Sequence, residues 1–191
     1  MKVLGINGSP RKSGNTATML RSLFDRLEQE GIETELCQLS GLKLSGCTAC
    51  YRCFDKRDRS CHGRRDDMNT VIAKMLAADA VVLASPTYFA DLTPEIKAVM
   101  DRAGMVAIAN DRMFARKVGA AVAVARRGGA IHTFDSLNHF FFINAMVVPG
   151  ATYWNMGFAL DPGEVAADEE AMTNMVALGE NMAWLLKKIH A

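Results

Sequence analysis

Short, almost uninterrupted apolar runs alternate along this chain with longer segments of helical period, and few architectures accommodate that alternation. Residues 2–7 (KVLGIN) and 80–85 (AVVLAS) are too short for buried helices and too uniformly apolar for strands with one wet face. Strands of parallel sheets, covered on both faces, have this composition. Residues 34–39 and 117–125 supply a second and a fourth strand of the series, and a fifth is expected within 146–154. Between the strands, Leu20, Leu23, Phe24 and Leu27 share one helical face, and Gly31 ends that helix. A second helix from Asp67 aligns Met68, Val71, Ile72, Met75 and Leu76. A third has Thr93 as the expected N-cap and Pro94 at its first position, with Ile96, Val99, Met100 and Ala103 inward. An aromatic helix follows Gly128 and Gly129 and runs through Phe141. The closing helix, 167–189, is expected to bury Met172, Met175, Val176, Met182, Ala183 and Leu186. The predicted fold is α/β: a doubly wound five-stranded parallel sheet with helices on both faces and right-handed crossovers. One domain is expected over 1–191, with a cysteine-rich insertion at 40–66, a loop long enough to imply function.

Charge and hydropathy exclude several classes. The net charge is +1, with 23% charged and 50% apolar residues, so no broad electrostatic attraction to nucleic acid or anionic membrane exists. No segment approaches the roughly 20 apolar residues of a membrane helix. The opening MKVLGINGSP is too briefly apolar for a secretory leader. A cytoplasmic location is therefore expected, where clustered cysteines indicate metal or redox chemistry rather than disulfides.

Ligands of such sheets gather at the carboxyl ends of the strands. Three loops there carry unusual residues. The first, GSPRKSGNT at 8–16, has turn-permitting Gly8 and Gly14, small polar groups on Ser9, Ser13, Asn15 and Thr16, and the cation of Arg11. With the free N–H groups of a helix start it suits a terminal phosphate monoester. Neither the Walker spacing nor G-x-G-x-x-G is present. A plain capped helix entry is the competing reading. The second loop, with Pro86, Thr87, Tyr88 and Phe89, offers an apolar wall and backbone polar groups to a flat heteroaromatic ring. Aromatic side chains plugging the core would look the same. The third, with Arg126, Arg127, Gly128 and Gly129, fits either a ligand contact or a surface turn.

Four cysteines, Cys47, Cys50, Cys53 and Cys61, occupy fifteen residues. Three closely spaced thiolates and a fourth from a short loop can hold a 4Fe–4S cluster. Tetrahedral zinc is the rival, although Cys50 would then have to serve two adjacent C-x2-C knuckles; cysteines that hold no metal are the remaining alternative. Lys56, Arg57, Arg59, Arg64 and Arg65 make the loop basic, suiting an anionic cluster, an acidic partner or a solvated surface. Cys37 belongs to a strand and is expected in the core. His62, His132, His139 and His190 are scattered, Asp66 and Asp67 look like a helix start, and no catalytic dyad is visible.

The motifs at 8–16 and 85–89, the ARRGG turn and the tail YWNMGFALDPGEV resemble the NAD(P)H-dependent FMN reductase branch of flavodoxin-like proteins. The cysteine loop resembles the iron–sulfur flavoproteins of that branch, whose pattern is C-x2-C-x2-C-x4–7-C. The resemblance implies that Ser9, Arg11, Ser13, Asn15 and Thr16 hold the FMN phosphate. Pro86, Thr87, Tyr88 and Phe89 would border the isoalloxazine, with Arg126, Arg127, Gly128 and Gly129 flanking it. Cys47, Cys50, Cys53 and Cys61 would ligate a 4Fe–4S cluster. It further implies a homodimer or homotetramer. The implied activity moves electrons between NAD(P)H or a ferredoxin-like protein donor and a small-molecule acceptor such as a quinone, flavin or oxygen. The alternative is an electron carrier between redox proteins with no substrate of its own.

Overall fold

The computed structural model describes residues 1–191. Five parallel strands, β1 (Lys2–Asn7), β2 (Glu33–Gln38), β3 (Ala80–Pro86), β4 (Val118–Ala125) and β5 (Met156–Phe158), lie in the order β2-β1-β3-β4-β5. The six helices are α1 (Asn15–Gln29), α2 (Arg52–Lys56), α3 (Met68–Ala77), α4 (Pro94–Ala109), α5 (Ala130–Ile143) and α6 (Glu169–Ile189), and a 3-10 turn at Glu164–Ala167 precedes α6. None is long and apolar enough to cross a membrane.

The apolar runs are continuous because the sheet is covered twice, each strand sending alternate residues into a different core. From β3, Ala80, Val82 and Ala84 pack with α1 and α6, while Val81 and Leu83 pack with α3, α4 and α5. Leu20, Leu23, Phe24 and Leu27 are buried as their period requires, and Cys37 lies in the core. Burial raises the pKa of its thiol. On α6 the buried stripe is Ala171, Asn174, Met175, Leu178, Gly179, Met182, Ala183 and Leu186. Met172 is only half-buried and Val176 is exposed, so the expected inward face was set slightly too wide.

The fifth strand differs from expectation. Val147 makes one parallel bridge with Val118 at the base of β4, and the chain then leaves the sheet before β5 begins at Met156. Pro149 has no N–H to offer a ladder and is followed by Gly150, which breaks the run. The Asn155 side chain replaces the missing backbone donor, with Nδ2 donating to Ala121 O at 3.0 Å. Short α2 inside the cysteine loop is a second element that periodicity could not show, having one turn and no buried residue.

Order β2-β1-β3 places the switch point between β1 and β3, which leave in opposite directions to their neighbours. The loops after both strands therefore border one crevice.

Candidate functional site

The first loop leaves β1 under close restraint. The Gly8 N–H donates to Ala84 O on β3 (2.8 Å), and Thr93 Oγ1 donates to Gly8 O (2.9 Å). Thr93 begins α4, yet its hydroxyl makes this cross-link instead of capping its own helix. A Cβ at Gly8 would lie 2.1 Å from Ile96 Cγ1, so only glycine permits this approach. Beside it, Ser9 N donates to Asn7 Oδ1 (3.0 Å), Asn7 Nδ2 to Gln38 Oε1 (2.7 Å), and Gln38 Nε2 to Ser9 O (2.7 Å). This ring of bonds fixes Ser9, which is buried and lines the crevice; its hydroxyl is already engaged, accepting from Arg11 N at 3.1 Å.

Helix α1 starts at Asn15 with no side-chain cap. The first backbone bond of the helix runs from Thr18 N to Gly14 O, which leaves the N–H groups of Asn15, Thr16 and Ala17 without partners. Such a helix start, flanked by the Ser9 and Thr16 hydroxyls, has the donors to hold an anion.

The crevice of about 580 Å³ is lined by Ser9, Arg11, Asn15 and Thr16, by Pro86, Thr87 and Tyr88, and by Arg126. Val124, Ala125, Ala159 and Leu160 complete it. Three strand ends thus converge as the sequence suggested, but five expected residues lie elsewhere. Ser13 is exposed and does not line the crevice. Phe89 is fully exposed, beyond the rim. Arg127 is exposed next to Arg126 without lining the crevice, and Gly128 has open space around it. Gly129 works by close approach: at φ +88°, its Cβ position lies 2.8 Å from Ala90 Cα. It seats the third loop on the second, as does Thr133 Oγ1, 3.0 Å from Thr87 Oγ1.

Asn15 lines the crevice, but its amide is already used. Nδ2 donates to Asp161 O (2.9 Å), while Oδ1 accepts from Gly163 N (2.8 Å) and Val165 N (3.3 Å). The residue clamps the loop after β5, which supplies Ala159 and Leu160. That loop was missed as part of the site; its signal was the turn-forming Asp161-Pro162-Gly163 after an apolar residue. Glu164 Oε2 accepts from the Leu160 and Asp161 N–H groups at 2.8 Å each, and these bonds hold its carboxyl below the ordinary range.

Tyr88 and Asp91 exchange backbone bonds of 2.7 and 3.1 Å across a two-residue corner. Phe89 and Ala90 occupy that corner at φ 48° and 64°. Left-handed conformation costs about 1–2 kcal/mol per non-glycine residue.

Cys47, Cys50, Cys53 and Cys61 all line a second cavity, at the α4 side of the sheet. The backbone achieves this with left-handed residues at Ala49 (φ 49°) and Tyr51 (φ 55°), which turn successive cysteines to one side. Cys47 and Cys50 are exposed; Cys53 and Cys61 are half-buried against the core. The Arg52 backbone N–H and then the Thr48 hydroxyl hold the Cys50 thiol below its usual range, while burial pushes Cys53 up. Arg102 Nε donates to Cys61 Sγ at 3.2 Å.

Tetrahedral zinc with bonds near 2.3 Å needs sulfurs about 3.8 Å apart. A cluster spreads its thiolates over a larger object. Two observations fit one. Gly63 is a cradle: an added Cβ would sit 3.3 Å from Cys50 Sγ and 3.9 Å from Cys61 Sγ. Arg102, lining the cavity, is buried with its Nη2 unpartnered. Four soft donors around a cavity with a spare cationic donor match an anionic iron–sulfur group.

Helix α4 joins the two sites. Thr93 holds the first loop and Arg102 reaches Cys61, nine residues along, about 14 Å at 1.5 Å per residue.

The family model described as NADPH-dependent FMN reductase matches residues 1–161. An iron-sulfur flavoprotein of Methanocaldococcus jannaschii is 36% identical over 196 residues, covering 99% of both chains. An iron-sulfur flavoprotein of Methanosarcina thermophila is 32% identical, covering 86% of this chain and 85% of that one. Among solved structures, the flavodoxin, WrbA-like protein from Agrobacterium tumefaciens superposes with a TM-score of 0.68 at 13% identity, covering 98% and 97% of the two chains. A flavodoxin from the domain Archaea gives 0.63 at 14% identity, covering 98% and 99%. At these identities the structural likenesses concern the fold, which is flavodoxin-like.

Proposed function

The chain belongs to the NADPH-dependent FMN reductase family, and from that premise we propose an FMN-dependent oxidoreductase with a second redox centre on its four cysteines. The carrying observation is the junction of the two sites through α4: an anion-binding helix start at one end of the helix, four thiols on one cavity at the other. The names of its iron-sulfur flavoprotein relatives support the same pair of cofactors.

The chain's own residues divide the work. The N–H groups of Asn15, Thr16 and Ala17, with the Ser9 and Thr16 hydroxyls, would receive the FMN phosphate, and Arg11 adds positive charge. Pro86, Thr87 and Tyr88 would wall the ring, and Arg126 stands across the crevice from them. Cys47, Cys50, Cys53 and Cys61 would bind a 4Fe–4S cluster as thiolates. The bound groups supply two-electron exchange at the flavin and one-electron exchange at the cluster; the protein supplies position and local charge. NAD(P)H or a protein donor would feed this pair, and a quinone, free flavin or oxygen would drain it.

A carrier role is the second reading. It is favoured by the exposure of Cys47 and Cys50 on a cavity that exposed Arg64 also lines, a surface suited to an acidic redox protein. The proposed setting is cytoplasmic. The exposed Phe142, Tyr153 and Trp154 support assembly with further copies of the chain.

Stopped-flow mixing with NADPH or NADH tests the first reading: rapid bleaching of the flavin is expected. Reduction solely by a ferredoxin-like donor would transfer the assignment to a carrier. FAD in the mass spectrum of the released flavin, or stoichiometric zinc without iron after anaerobic purification, would reject the cofactor assignments.

A further inference from the structure

Arg102 is out of place by the rules that built the rest of α4. Its neighbours on the buried face are Val99, Ala103 and Val106, and a leucine or methionine at 102 would complete that stripe. The arginine is 1% exposed, and a buried guanidinium costs several kcal/mol in lost hydration unless it is well paired. Its bonds show what it is paired with. Nη1 donates to Asp66 Oδ2 (2.5 Å) and Ser45 O (3.1 Å), and Nε donates to Cys61 Sγ (3.2 Å). Ser45 Oγ also donates to Asp66 Oδ2 at 2.9 Å. Ser45 precedes the first cysteine and Asp66 follows the last, so the guanidinium ties both ends of the loop to the core.

A structural tie alone leaves two features unexplained. A salt bridge built for stability would set the guanidinium fork against both carboxylate oxygens; here only Nη1 meets Asp66. Of the other two nitrogens, Nε is on the Cys61 sulfur and Nη2 is buried without a partner, in a residue that lines the cysteine cavity.

We infer that Arg102, oriented by Asp66, is a positioning residue for the cysteine centre: it fixes Cys61 as a ligand and holds a permanent positive charge and a free donor against the bound cluster. The inference rests on the cluster reading above. Its electrostatic consequence has a definite sign. Reduction adds negative charge to the cluster, so a nearby cation stabilises the reduced form and raises the midpoint potential. Second-shell partners of metal ligands typically contribute about 10–100-fold to metal retention.

The test uses the FMN-loaded chain purified without oxygen, as wild type, Arg102→Gln, Arg102→Lys and Asp66→Asn. Iron per chain, rate of iron loss to a chelator, midpoint potential followed by EPR, and bound FMN are measured. Arg102→Gln is expected to keep FMN, lose iron about 10–100-fold faster and titrate at a more negative potential. Arg102→Lys, which keeps the charge and loses the fork, is expected to lose iron faster with a smaller potential change. Loss rate and potential equal to wild type in Arg102→Gln would overturn the inference, and so would faster loss at an unmoved potential, since that is what a loop tie alone produces. If Arg102→Gln does not fold, as judged by lost flavin and circular dichroism, Arg102→Lys and Asp66→Asn decide by the same two readouts. Wild type without iron would instead overturn the cluster reading, a result separable from an iron-loaded wild type whose variants behave alike.

Discussion

Replacing Asn15 by alanine separates two roles that a phosphate-loop asparagine can have. The side chain is 8% exposed and makes three hydrogen bonds to the loop after β5. Asp161 and Gly163 are exposed, so water replaces the lost amide at the Asp161 carbonyl and the Gly163 N–H, at a net cost of about 0.5–1.5 kcal/mol per bond. Val165 is fully buried, and its N–H loses its only acceptor, although the 3.3 Å bond is the weakest of the three. An unsatisfied buried donor costs about 1–3 kcal/mol. Together the loss is about 2–6 kcal/mol, or roughly 4–24 °C in Tm for a chain of this size. Urea unfolding of the flavin-free chain, followed by circular dichroism, measures it without the contribution of ligand binding. FMN affinity is expected to fall as well, because Ala159 and Leu160 lose their anchor. Asn15→Asp keeps the acceptor for Gly163 and Val165 and is expected to cost less. Flavin-free stability within about 0.5 kcal/mol of wild type, with FMN affinity strongly reduced, would refute the clamp and make Asn15 a direct phosphate ligand.

Gly8→Ala places a methyl 2.1 Å from Ile96 Cγ1 on a fully buried helix face; overpacking of about 1–3 kcal/mol is expected, with weaker flavin retention, read by thermal melts and flavin release. Phe89→Ala removes a fully exposed ring, so stability in urea unfolding is expected to stay within the ±0.5 kcal/mol range of surface changes, while flavin reduction in stopped flow is expected to slow. Burial alone would raise the Asp66 pKa, but the bonds from Arg102 and Ser45 outweigh it and hold the carboxyl below its ordinary range. The sign follows from that direction. The stabilisation is complete above the unfolded value near 3.9 and is lost as pH falls through the lower folded value. Acid unfolding curves are therefore expected to lose a step in Asp66→Asn, which should be less stable than wild type by about 3–5 kcal/mol at neutral pH and converge with it in acid.

Much of the fold was legible because each strand and helix announces itself within a few residues. The runs AVVLAS and KVLGIN carry the double burial of a parallel sheet, and the 3.6-residue spacing of Leu20, Leu23, Phe24 and Leu27 carries a helix face. The fifth strand was displaced because a run containing Pro149 and Gly150 looks apolar whether or not its backbone joins the ladder. Met172 and Val176 on α6 were misplaced by a stripe drawn from apolar character alone, when Asn174 is buried there to receive bonds from Thr152 Oγ1 and Tyr153 N.

By itself the sequence determined the alternation of strands and helices, the family, and the chemistry of the loops: hydroxyls and glycines at 8–16, four thiols at 47–61. These properties reside in spacing and residue type, which local periodicity and steric rules act on directly. Only the tertiary structure decided what each side chain does. It set Asn15 against a loop 146 residues away, lifted Phe89 out of the crevice, and brought Arg102 to Cys61 across 41 residues. An arginine on a helix has the same local pattern whether it meets water or a buried sulfur, and the packing of α4 under the cysteine loop chooses between them.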